Sequence, residues 1–164
     1  MTQPAENLVP LGVATRGKYY ALGPVWEYTV EQPVLLPPGR LTGFRAWVAS
    51  NSSLPQFGTV IRASLRRLPA TGSNAWLCKP QPFGDGDRLS RWTDLVLERP
   101  LELTEPTSAL LELRADPPWF LVPGSRIFYN AMPLEGSSLL RPMTVSGRPS
   151  ISGLALTAVY DTGR

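Results

Sequence analysis

The sequence has no histidine and only one cysteine, Cys78. Without histidine it lacks the side chain most used for proton transfer near neutrality and the commonest nitrogen ligand for zinc. A single thiol excludes an internal disulfide and a cysteine-built metal cage, since each needs at least two sulfurs close together. Serine–histidine and cysteine–histidine catalysis are therefore excluded, and stability must come from packing. Lysine is almost missing as well: Lys18 and Lys79 are the only two, so nearly all of the 16 basic residues are arginine. Arginine makes bidentate contacts with carboxylates, which suits packed protein interfaces. The same bias, with abundant leucine and proline, also fits a GC-rich genome and a thermophilic host.

Long apolar runs are missing too, and nothing approaches the roughly 18 residues of a membrane helix. Met1 to Leu11 contains Gln3, Pro4, Glu6 and Asn7 and has neither the basic start nor the apolar stretch of a secretory signal. The net charge of +3 is scattered, with Arg66-Arg67 the longest basic run, whereas a nucleic-acid groove concentrates its charge. The expectation is no membrane span and no nucleic-acid partner.

What is present is a chain of short elements. Its 164 residues suffice for one sizeable core, and 18 prolines and 14 glycines spread along the whole length punctuate it. Val25 to Leu36 alternates Trp26, Tyr28 and Val30 with Glu27, Thr29 and Glu31, the period of a strand with one wet face, which Pro33 breaks or places at an edge. After Pro37-Pro38-Gly39-Arg40, Leu41 to Ala49 sets Thr42, Phe44, Ala46 and Val48 against Arg45 and Trp47. Thr59 to Leu68 sets Ile61, Ala63 and Leu65 against Arg62, Ser64 and Arg66. Ala75 to Cys78, Trp92 to Glu98, Ser108 to Ala115, Trp119 to Val122, Ser125 to Asn130, Leu139 to Val145 and Ile151 to Tyr160 continue the series. About eight or nine strands at this turn spacing predict an all-β, antiparallel sandwich, jelly-roll-like, over residues 25–164. Residues 1–24 have no clear strand period yet carry Leu8, Val9, Leu11 and Val13. They are expected to form an extended arm that reaches a neighbouring subunit.

The succession of elements resembles the small single jelly-roll structural proteins of bacteriophage virions, the capsid, decoration and tail modules. Three stretches carry it: Leu35-Leu36-Pro37-Pro38-Gly39-Arg40-Leu41-Thr42-Gly43-Phe44, Trp92-Thr93-Asp94-Leu95-Val96-Leu97, and Leu121-Val122-Pro123-Gly124-Ser125-Arg126-Ile127-Phe128-Tyr129. The resemblance covers Tyr28 to Tyr160. It implies a non-enzymatic virion structural protein that associates with itself and with other virion proteins, located in the virion and assembled in the host cytoplasm.

The candidate chemistry is sparse. Asp85-Gly86-Asp87 could offer two carboxylates to calcium, but Arg88, Leu89 and Ser90 supply none of the further oxygens at the right spacing, so a solvated turn is the preferred reading. Glu27, Glu31, Glu98 and Glu102 could supply a glycosidase pair, yet they sit on polar strand faces or beside a proline turn. No cofactor, metal or catalytic residue is expected. Arg45, Trp47, Arg62, Arg66 and Trp119 are the residues expected to form a subunit interface. The alternative is a carbohydrate-binding module for receptor attachment, in which Trp47 and Trp119 stack against sugar rings.

Overall fold

The computed structural model describes residues 6–12, 19–23, 29–50, 59–69, 75–83, 91–116, 127–132, 140, 144–145, 147–149 and 153–162. Within them every helix-or-strand element is a strand. In order these are β1 (Glu6–Gly12), β2 (Tyr19–Gly23), β3 (Thr29–Leu36), β4 (Gly39–Ser50), β5 (Thr59–Arg67), β6 (Ala75–Leu77), β7 (Gln81–Phe83), β8 (Arg91–Leu103), β9 (Thr107–Asp116), β10 (Ile127–Met132), β11 (Thr144–Val145), β12 (Arg148–Pro149), β13 (Gly153–Leu154) and β14 (Leu156–Asp161).

They form two antiparallel sheets. The first runs β1-β14-β4-β8 along one half, and β10 takes β14's place beside the far end of β4, with β2 and β13 next to it. The second runs β12-β11-β3-β9-β5, with β6 and β7 both paired to β5. The winding follows from these pairs. β5 pairs with β6, β4 with β8, β3 with β9 and β1 with β14, so early strands meet late ones in nested order. That is one long antiparallel hairpin rolled over so that alternate pairs fall into opposite sheets, which is the jelly roll.

Alternation explains which residues are inside. Ile61, Ala63 and Leu65 of β5, Ala109, Leu111 and Leu113 of β9, and Val30, Val34 and Leu36 of β3 are buried from one side. Leu41, Phe44 and Ala46 of β4, Leu95 and Leu97 of β8, and Leu156, Ala158 and Tyr160 of β14 meet them from the other. Burying a leucine or phenylalanine side chain contributes about 1.5–3 kcal/mol, so this layer is the main source of stability. One polar group crosses it. Gln32 of β3 is fully buried, and its Oε1 accepts a hydrogen bond from the Leu154 backbone N–H at 2.9 Å, tying the second sheet to the first. Its Nε2 donates to the Pro33 carbonyl at 2.8 Å, so both ends of the amide are used.

Two expectations need correction, and one left open is decided. Glu6–Gly12, expected within an extended arm, is the edge strand beside β14 of its own sandwich, and Leu11 lies in the core at 1% exposure. The sandwich therefore begins well before residue 25. Of the two readings of Pro33, the edge is the one found: β3 continues to Leu36, and at Pro33 it pairs with β9 but not with β11, because the Pro33 carbonyl points away from β9 and accepts from Leu140 N–H. In an extended strand a residue's nitrogen points the same way as its carbonyl, so no β9 hydrogen bond is lost at the proline. Trp92 to Glu98 does not stand alone either. β8 runs on through Pro100 to Leu103, and its middle bridges Leu97 to Cys78 of the other sheet. The turns expected at Asp85-Gly86-Asp87 and the strand at Trp119 to Val122 lie outside the described residues.

Candidate functional site

The outer face of the β1-β14-β4-β8 half-sheet is banded. Register lines up Glu6, Asp161, Arg40 and Glu102 in one row across the four strands. The next row is Leu8, Val159, Gly43 and Val96, and the one beyond it is Pro10, Thr157, Arg45 and Asp94. An apolar row thus runs between two rows that carry charge. Leu8 and Val96 are among the exposed large apolar residues, at 46% and 42%, while Val159 between them is covered.

Both charged rows are held by arginine. Arg45 donates from Nε to Asp94 at 2.8 Å and from a terminal nitrogen to Glu6 at 2.9 Å, bridging β8 and β1 over the intervening β14. Arg40 lies 3.5 Å from Glu102 and 3.7 Å from Asp161. These carboxylates are half exposed or more, apart from Asp161, so each pair contributes at most about 1 kcal/mol. Their value lies in fixing the side chains.

The apolar row has one side chain missing. At Gly43 a Cβ would stand 2.4 Å from the Leu95 carbonyl oxygen, so only glycine lets β4 and β8 approach this closely. Thr42 beside it pairs with neither flanking strand, and its hydroxyl donates to the Val159 carbonyl at 3.1 Å. This extra residue is a β-bulge, and it turns Leu41 and Phe44 to the same side of the sheet. Where the row lacks a side chain, a pit of about 240 Å³ opens, walled by Val96 and Val159, floored by the backbone around Gly43, Phe44 and Leu95, whose side chains face the core, and edged by Glu6, Asp94, Asp161 and Arg45.

The second sheet carries a different concavity on its own outer face, of about 310 Å³. Arg62, Arg66 and Arg114 surround Ser64 there, with Glu98, Glu112 and Leu77. Arg62 stands directly opposite Arg114 in the ladder, and Glu31 opposite Glu112. Cys78 lies at the base of this wall. Burial, and secondarily the Glu98 charge, pushes its thiol up to about 12, so it stays protonated and inert.

The five residues expected at an interface are thus divided. Arg62 and Arg66 share the second sheet's concavity, whereas Arg45 belongs to the first sheet on the opposite side of the sandwich. Trp47 pairs with Trp92 across β4 and β8, and Trp119 lies outside the described residues.

Comparison with known proteins adds little to this geometry. No family model matches the chain, and no curated protein does. Among solved structures it is similar to one of infectious bursal disease virus, Gx strain, at 9% identity over 99% of this chain and 33% of that one, TM-score 0.37. It is also similar to the Gt strain structure, at 11% identity over 96% and 39%, TM-score 0.40. A third likeness is to the infectious bursal disease virus VP2 subviral particle, at 10% identity over 96% and 37%, TM-score 0.37. The chain spans 33–39% of the length of these three solved chains. No residue role transfers at these levels.

Gly43, Asp94, Val96, Glu6 and Val159 were not singled out by sequence reasoning. They come from four strands far apart in the chain, and only the nested pairing brings them together. The one local signal is Thr42-Gly43 interrupting an otherwise regular alternation.

Proposed function

We propose that this chain is a non-enzymatic virion structural protein, a capsid subunit or capsid decoration of the bacteriophage kind it resembles in sequence. It acts by associating with itself and with other virion proteins, and its place is the virion, assembled in the host cytoplasm. The observation that carries the reading is the banded outer face of the first sheet: an apolar row between rows of fixed charge has the make-up of a protein contact, apolar at the centre and polar at the rim. The jelly roll recurs in viral coat proteins and also in lectins, so the fold alone does not choose. A core packed with leucine, valine and phenylalanine leaves the outer faces and loops to act.

The alternative, a glycan-binding module for receptor attachment, rests on the tryptophans singled out in the sequence, Trp47 and Trp119, since an aromatic ring can stack a sugar. Light scattering over a dilution series separates the two. A trimer or larger closed assembly that resists dilution is expected; a strict monomer at every concentration that binds glycans would overturn the virion reading in favour of the module.

A further inference from the structure

We infer that the pit over Gly43 receives an arginine side chain from the opposite sheet of a second copy, so that the protein assembles head to tail. The inference rests on the self-association reading and names its two surfaces. The side chains of Val96 and Val159 give the pit apolar walls that suit a methylene stem, and its edge holds three carboxylates, Glu6, Asp94 and Asp161, against Arg45 at the edge and Arg40 beside Asp161. A long cation with an apolar stem is the side chain such a place fits, because arginine buries its carbons while its planar head bonds carboxylates. A pit of about 240 Å³ has room for one.

The chain carries the complement on its other side. The second sheet's concavity places three arginines, Arg62, Arg66 and Arg114, against two glutamates, Glu98 and Glu112. The two concavities therefore differ in sign, the first net acidic and the second net basic. Like faces repel and unlike faces attract, which selects a heterologous contact over a two-fold one. Such a contact repeats from copy to copy until the rotation closes a ring.

The pairing has a specific test. Glu6→Lys with Asp94→Lys reverses the pit, and Arg62→Glu with Arg66→Glu reverses the arginine face. Each double variant alone is expected to associate at least tenfold more weakly than the parent by sedimentation velocity, while an equimolar mixture of the two recovers association. Parental association should also weaken as salt is raised. The neutral variants Asp94→Asn and Arg66→Gln, checked for unchanged urea midpoints, give the same reading if a reversal prevents folding: each should weaken association by a few-fold, and their combination by no more than the larger single effect. If the parent assembles and the variants assemble equally well, the contact lies elsewhere; the inference falls while self-association stands. If both reversals abolish association but their mixture does not restore it, the head-to-tail pairing is wrong. A parent that is monomeric throughout overturns both readings.

Discussion

The two sheets of this sandwich share one core but are built to different standards of regularity. In the second sheet, β9 pairs with β3 and with β5 over eight residues on each side without a shift. In the first, every long interface slips: at Pro10/Gly12 between β1 and β14, at Val159/Tyr160 between β14 and β4, and at Leu41/Gly43 between β4 and β8. A regular ladder gives a flat wall whose faces follow simple alternation. Bulges bend and twist a strand, and here they also remove one side chain from an outer row and open a pit. Irregularity is thus where the surface acquires shape.

The comparison can be broken most sharply at Gly43. Gly43→Val drives a side chain into the Leu95 carbonyl and is expected to destabilise by about 3 kcal/mol. Ser64→Val, on the outer face of the regular sheet, should stay within about 0.5 kcal/mol. Urea denaturation of both variants measures the contrast, and equal effects would mean that the bulge is not a constraint. Next in size is the link between the sheets. Gln32→Leu strands the buried Leu154 N–H without its acceptor and should cost about 1–3 kcal/mol.

Alkaline pH distinguishes the sheets by their buried acids. Burial pushes Cys78 from 9.0 and Tyr160 from 10.0 up to about 12 each. Below pH 9 both groups keep their protons whether the chain is folded or not, and stability is full. Between 9 and 12 the unfolded chain releases protons that the folded one retains, so stability falls as pH rises through that window. Cys78→Ala should move the onset of the fall from about pH 9 to about pH 10, as read from urea midpoints across the range. Apart from the Ser64 control, the smallest effect is expected at Arg45. With its carboxylate partners half exposed, Arg45→Leu should cost about 0.5–1 kcal/mol in low salt, and less as salt is raised.

The regular sheet was the legible one. Ile61, Ala63 and Leu65 against Arg62, Ser64 and Arg66, and Ala109, Leu111 and Leu113 against Glu112 and Arg114, have the inside and outside that their spacing predicts. Period two is a reliable guide wherever one face is buried and no residue is inserted. The first sheet defeats the same rule. Alternation carried back from Phe44 puts Leu41 outside, and only the unpaired Thr42 returns it to the core. Pro33 and Pro100 look like strand ends because proline cannot donate a hydrogen bond, but whether that bond was needed depends on the neighbour. Glu6–Gly12 has the apolar content of a strand, yet its partner lies at the other end of the chain, beyond what local pattern reveals. For the candidate site, sequence picked out Arg45, Arg62 and Arg66 by residue type. It could not tell that they belong to opposite faces.

The nesting of β1 with β14 also sets a timetable. During synthesis the β5–β6 hairpin can close as soon as it emerges, then β4 can take β8 and β3 can take β9, each pair enclosing the last. The edge of β4 that β14 covers stays open until Leu156–Asp161 arrives, and β1, made first, is the last to find its partner. Long-range pairing of this kind slows folding and leaves strand edges exposed meanwhile. The step most vulnerable to misassembly is therefore the final one, when crowded copies of the chain each present an uncovered β4 edge and an unclaimed β1.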